Sequence, residues 1–247
     1  MISVKSQEEI AVIREGGKML AAIMRQLAKQ VRPGIATKEL DRAAEALIFN
    51  SAGKPSFKGY EGFPAALCVS VNEEIVHGLP FDRILNDGDI VSLDLGMEYK
   101  GYHSDMAITI AVGKISSQAQ KLIEATRGAI EAGLGKVRPG NTFGDVASAV
   151  QEFIEAQGFA VVRDLCGHGI GKKLHEEPEV LNYGRKGDGP KIQEGMVFCL
   201  EPMVTAGSRQ IKKAKDGYGF QTKDGSLSAH FEHTVAVTKY GFLVLTE

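Results

Sequence analysis

The sequence predicts a single α/β domain made of two similar halves related by a pseudo-twofold axis, and three observations predict it. Val137-Arg138-Pro139-Gly140 repeats Val31-Arg32-Pro33-Gly34, and each copy leads into a segment that opens near a Thr and reads as a helix. At nearly the same offset, Glu194-Gly195-Met196-Val197-Phe198-Cys199-Leu200-Glu201 repeats Asp87-Gly88-Asp89-Ile90-Val91-Ser92-Leu93-Asp94, which sets carboxylate against carboxylate at the end of an apolar strand. The order of elements, helices and then strands, is also shared. Chance recurrence of Pro-Gly punctuation competes as an account of the first repeat, but it does not explain the matched acids. A chain of 247 residues can form one such unit around a large core.

The elements follow in order. Ser6 and Glu9 have capping-box spacing, and Ile10, Ile13, Leu20, Met24, Leu27 and Val31 recur at helical spacing until Pro33-Gly34. Thr37 is positioned to cap a second helix with Leu40, Ala44, Leu47 and Ile48 on its apolar side, ending between Asn50 and Gly53. A Gly- and aromatic-rich loop runs from Phe57 to Pro64. Strands are expected at Leu67 to Val71, Ile90 to Leu95 and Met106 to Val112. Between the last two, Asp94 and Asp105 read as carboxylates flanking a tight Gly-containing turn that sets their spacing. A further helix is expected from Ser117 to Lys136.

Composition narrows the function classes. Apolar residues at 43% and charged residues at 24% argue against long disorder, and a net charge of -2 gives no reason to expect nucleic acid as the principal partner. The cysteines Cys68, Cys166 and Cys199 are odd in number and form no CxxC pair, which argues against a disulfide framework and a structural zinc site. No basic n-region precedes an apolar core at the start, and no stretch is long enough to span a bilayer. The expectation is a soluble cytoplasmic protein with no membrane partner.

The chemistry is carried by acids inside apolar strands. Alternation sets Asp94 on the Ile90 and Ser92 face and Asp105 on the Ala107 and Thr109 face, opposite the bulky apolar rows. It likewise sets Glu201 with Val197 and Cys199, away from Phe198 and Leu200, and Glu232 away from Phe231, Val235 and Val237. Singly, each acid reads more simply as a turn or surface charge. Four carboxylates on inner faces repel one another and need positive charge, and these strands contain no Arg or Lys. Two divalent cations held by oxygens and a histidine meet that need.

His168 sits in Gly167-His168-Gly169-Ile170-Gly171, where glycines permit close backbone approach to a metal; the run lacks the spacing of a dinucleotide or phosphate loop. His77 and His175 lie in loops, where a hydrogen-bonded structural role competes evenly with a functional one. His103, His230 and His233 read as structural or supporting.

These stretches, DLG and GYHSDMA around Asp94 and Asp105, GHGIG and HEEP around His168 and His175, LEPM at Glu201 and SLSAHFEHT around Glu232, resemble the type I methionine aminopeptidases over nearly the whole chain. The resemblance implies an α+β pita-bread, creatinase/aminopeptidase-like fold, with halves of about 4–115 and 116–247 sharing a central curved antiparallel sheet covered by helices. It implies removal of the initiator methionine from nascent polypeptides whose second residue is small, by a water that two cations make acidic. In the family pattern Asp105, His168, Glu201 and Glu232 hold one metal and Asp94, Asp105 and Glu232 the other. Glu201 also handles the proton, His175 stabilises the tetrahedral intermediate, and His77 contacts the peptide near the scissile bond. Phe57, Tyr60, Phe63, Cys68, Leu174, Phe198 and Tyr218 match positions near the methionine pocket. Several bacterial relatives have Cys at Phe57, His at Glu61, Phe at Leu174 and Trp at Tyr218, departures that bear on pocket shape.

Two rivals share this resemblance. A prolidase or Xaa-Pro aminopeptidase usually carries an extra N-terminal domain, for which 247 residues leave no room. A non-catalytic pita-bread binding module typically loses ligands, and all five are present here. The segment from Arg209 to Lys223 is locally basic; a solvated loop is the simpler reading, and contact with ribosomal RNA near the nascent chain is the functional one. Mixed carboxylate and imidazole donors suit Mn, Fe, Co or Zn. A monomer is expected.

Overall fold

The computed structural model describes residues 2–247. Its helices are Gln7–Ala28 (α1), Thr37–Asn50 (α2), Ser117–Leu134 (α3) and Phe143–Ala156 (α4). Between the helix pairs lie strands Lys54–Pro55 (β1), Leu67–Val71 (β2), Glu74–Val76 (β3), Ile90–Tyr99 (β4) and Tyr102–Ala111 (β5). After α4 come Ala160–Val161 (β6), Gly167–Gly169 (β7), Glu176–Val180 (β8), Val197–Leu200 (β9), Met203–Thr205 (β10), Ile211–Lys213 (β11), Phe220–Thr222 (β12), Ser228–His230 (β13), Glu232–Thr238 (β14) and Gly241–Val244 (β15). Among the described residues, no helix is long and apolar enough to cross a membrane.

A curved nine-stranded antiparallel sheet runs in the order β1-β4-β5-β14-β9-β7-β8, with β2 added to β4 and β15 to β14. Strand alternation decides what each face does. Val91, Leu93, Leu95 and Met97 of β4 turn towards Leu20, Met24 and Leu27 of α1 and Leu40, Ala44 and Ile48 of α2. Phe198 and Leu200 of β9 and Val235 and Val237 of β14 turn towards Leu122, Ile130 and Val150 of α3 and α4. Covering these rows with amphipathic helices removes the apolar side chains from water and leaves the opposite face for chemistry.

The helix signals act at the atomic level, with one difference. Ser6 and Glu9 close the capping box on α1 through bonds of 3.3 and 2.9 Å, and Thr142 does the same for α4 with Asp145. Thr37 does not cap α2. Ala36 holds the cap position, its N–H bonded to the Glu39 carboxylate at 3.1 Å, while the Thr37 hydroxyl exchanges two 3.0 Å bonds with the Phe81 backbone. α1 also stops at Ala28, a few residues short of Pro33, and α3 at Leu134.

The segment between Asp94 and Asp105 is mostly strand. The turn is Lys100-Gly101, both at positive φ (50° and 82°) as a type I′ hairpin requires. Gly96 lies within β4, where a Cβ would stand 2.7 Å from the Phe57 ring and 2.9 Å from Ser56, so its missing side chain admits the aromatic loop. The ladder therefore sets the spacing of the two acids, not the turn: Asp94 pairs with Ala107 and Asp105 with Gly96.

Candidate metal centre

Register brings the acids together, because residues paired across antiparallel strands project from the same face. Ala107 of β5 pairs with Asp94 on one side and Glu232 on the other, so a methyl group separates two carboxylates. Asp105, two residues from Ala107, shares that face. Across β14, Thr234 pairs with Cys199 of β9, and Gly169 of β7 pairs with Phe198 of β9, which aligns His168 with the Cys199 face. Glu201 follows the end of β9 at the same parity as Cys199, and Asn182 donates to its carbonyl at 3.1 Å.

The donor atoms converge in three overlapping groups: Asp94, Asp105 and Glu232; Glu201, His230 and Glu232; and His168, Cys199 and Glu232. Within each, the candidate ligand atoms lie within 4.8 Å of one another. His168 Nε2 stands 3.5 Å from Glu201 Oε1. The Nδ1–H of His168 donates to the Gly169 carbonyl at 2.9 Å, which fixes the tautomer with Nε2 bare. Burial pushes the His168 pKa down to about 3, so the ring is neutral near pH 7.

Asp94, Asp105, Glu201 and Glu232 are all buried, and among the described residues none is paired with Lys or Arg. Asp94 Oδ1, Asp105 Oδ1 and Glu232 Oε1 are buried without any hydrogen-bond partner. Desolvation therefore raises every carboxyl in the cluster: Asp94 to about 6, and the other three well above the usual carboxylate range, with neighbouring acids adding to the effect. Leaving buried acceptors orphaned costs several kcal/mol in rough terms. An oxygen-rich set with one bare imidazole nitrogen fits divalent cations, which would satisfy those lone pairs and favour the charged forms.

The cluster forms the floor of a cleft of about 1040 Å³ lined by Phe57, Tyr60, Phe63, Cys68, Leu174 and Tyr218 among others. Tyr218 donates to the Gly62 carbonyl at 2.9 Å and meets Phe63 edge to face at 5.7 Å, closing one wall. The His175 ring lies 4.3 Å from that of His168, and its Nδ1 is 3.1 Å from the Tyr60 hydroxyl. His77, at φ 57°, stacks edge-on against Phe220, and burial lowers its pKa to about 4.

Phe198 is a correction. It is fully buried on the helix side of β9, edge to face with Phe143 at 5.1 Å, and does not line the cleft. The alternation that turns Cys199 and Glu201 inward turns Phe198 outward. Conversely, Val76, Leu165, Met203 and Phe220 line the cleft without having stood out in the sequence. His230, which the sequence reads as structural or supporting, has its Nε2 3.5 Å from Glu201 Oε2. Its two-residue separation from Glu232 was the available signal, since that spacing keeps neighbours on one face of extended chain.

Residues 11–239 match the Metallopeptidase family M24. Over 246 residues the chain is 49% identical to the methionine aminopeptidase of Clostridium perfringens (strain 13 / Type A), covering 100% of this chain and 99% of that protein. The crystal structure of methionine aminopeptidase from Rickettsia prowazekii is similar with a TM-score of 0.99 at 38% identity, covering 100% of both chains. The prolidase of Pyrococcus horikoshii OT3 is similar in fold, with a TM-score of 0.78 at 24% identity over 99% of this chain and 63% of that one.

Proposed function

The chain belongs to metallopeptidase family M24, within it to the methionine aminopeptidases with their pita-bread fold, and from that premise we propose that it removes the initiator methionine from nascent polypeptides whose second residue is small, using two divalent cations. The observation that carries this reading is the set of buried, partnerless carboxylate oxygens beside a bare imidazole nitrogen at the floor of an aromatic cleft.

Asp105 and Glu232, together with Asp94, His168 and Glu201, would hold the cations. When bound, the cations supply Lewis acidity, which polarises the scissile carbonyl and makes water a nucleophile at neutral pH. Glu201 carries the proton from the attacking water to the departing amine. The Tyr60 hydroxyl lies 3.1 Å from His175 Nδ1; with the hydroxyl as donor, His175 carries its proton on Nε2, the donor for charge developing on the carbonyl oxygen. His77 holds the peptide near the scissile bond. Phe57, Tyr60, Phe63, Cys68, Leu174 and Tyr218 form a slot suited to a flexible thioether. Mn, Fe, Co and Zn all suit the donors, and supply in the cell selects among them.

Lys212 and Lys213 on β11 are exposed and Lys213 reaches the cleft lining, which supports a ribosomal RNA contact of the Arg209–Lys223 hairpin at the mouth through which a nascent chain enters. A monomeric cytoplasmic enzyme fits this role. Hydrolysis of Met-Ala-Ser against Ala-Pro peptides tests the activity: release of methionine is expected, and preferential cleavage of the proline peptide would replace the proposal with a prolidase.

A further inference from the structure

His230 stands in a candidate donor group with Glu201 and Glu232, yet its ring lacks the second hydrogen bond that supports a ligating imidazole. It is 1% exposed, both of its ring nitrogens lack a hydrogen-bond partner, and its Nε2 faces Glu201 Oε2 at 3.5 Å. Its backbone is held on both sides by one hydroxyl: His230 N–H donates to Thr109 Oγ1 at 2.8 Å, and Thr109 Oγ1 donates to the His230 carbonyl at 2.8 Å. Ser92 donates to the same oxygen at 2.8 Å, completing its partners. The strand carrying the ring is thus anchored to β5 and β4, the strands of Asp105 and Asp94.

A ligating histidine commonly donates its second ring N–H to a carbonyl or carboxylate, which presents the other nitrogen bare. His168 does this through Gly169, and His230 has no such acceptor. Glu201 consequently lies between two different imidazoles, a bare nitrogen on Oε1 and an unpartnered ring on Oε2. We propose that His230 is a positioning residue: its Nε2–H is the donor that faces Glu201 Oε2 across 3.5 Å and orients the carboxylate, so that Oε1 stays beside His168 Nε2, where it would take a metal. This inference rests on the reading of Glu201 as a metal ligand.

The test is calorimetric titration of metal-stripped full-length protein with Mn²⁺, with the visible absorption of the Co²⁺-loaded protein as a second readout. The proteins compared are wild type, Glu201→Ala, His230→Leu and His230→Gln. Outer partners of metal ligands typically contribute 10–100-fold in affinity, so His230→Leu is expected to weaken Mn²⁺ binding by roughly that factor and to shift the Co²⁺ bands. His230→Gln, whose amide N–H replaces the donor, is expected to stay within about threefold of wild type on the same principle. Unchanged affinity and bands in His230→Leu overturn the positioning role, and so does an equal loss in both variants, which would make the imidazole itself a ligand. Should Glu201→Ala bind as wild type does, the ligand reading of Glu201 fails instead.

Discussion

Thr234 and Asp105 exchange a pair of hydrogen bonds: the Asp105 N–H donates to Thr234 Oγ1 and that hydroxyl donates back to the Asp105 carbonyl, both at 2.8 Å. The β5–β14 pairing proceeds through Glu232 with Ala107 and His233 with Met106. At the next step in register a hydroxyl takes the place of the backbone partner, opening the strands where the carboxylates gather. Thr234→Val keeps the shape and orphans both backbone groups, so a loss of about 1–3 kcal/mol in denaturant unfolding is expected, together with weaker metal retention. Thr234→Ser should recover most of both. A Val variant of undiminished stability would show that these bonds do not hold Asp105.

The acid cluster makes the metal-free protein sensitive to pH in a definite direction. Burial raises the Asp94 carboxyl from 3.8 to about 6 in the fold, so the folded state holds the proton that the unfolded state has released. Stability of the stripped protein therefore falls as pH rises from about 4 towards 7, and the three other raised carboxyls act in the same sense. Asp94→Asn removes one share of that slope. In thermal melts of stripped protein at pH 7.5 the variant should be more stable than wild type, by roughly 1–3 kcal/mol for a shift of this size, while binding metal less well. A stripped variant less stable than wild type at that pH would contradict it.

The Tyr60 hydroxyl at His175 Nδ1 predicts graded effects on turnover. His175→Ala removes a donor to developing charge and should cost about 10²–10³ in kcat. Tyr60→Phe leaves the imidazole present but unoriented, and a smaller fall in kcat is expected with KM for Met-Ala-Ser little changed. Equal losses in the two variants would indicate that Tyr60 acts directly on the peptide.

Asp105 belongs to the central carboxylate group with Asp94 and Glu232 and has a buried oxygen without a partner. Asp105→Asn should nearly abolish peptide cleavage and lower metal content measured by elemental analysis. Chelation of wild type should inactivate it, with added Mn²⁺ restoring activity.

What the sequence made legible depended on period. Asp94, Asp105, Glu201 and Glu232 could be assigned to an inner face because two-residue alternation is strict within a strand and an acid inside an apolar run stands out. The same rule already turned Phe198 to the helix side; assigning it to the pocket followed the family resemblance against that alternation. Tertiary pairing was not legible. Nothing local in Thr37 distinguishes a cap from a residue that bonds Phe81 across the fold, and nothing in Gly96 announces that Phe57 lies over it. Which residue His230 supports was hidden for a related reason. A lone histidine between Ala229 and Phe231 looks like core until β13 and β14 bring it to Glu201.

The central claim, a pair of cations held by five side chains, is tested most directly by anomalous X-ray scattering from crystals equilibrated with Mn²⁺ near neutral pH. Two peaks are predicted, both adjoining Asp105 and Glu232, one on the Asp94 side and the other on the side of His168 and Glu201. A single peak, or none among these residues, would contradict the two-cation account.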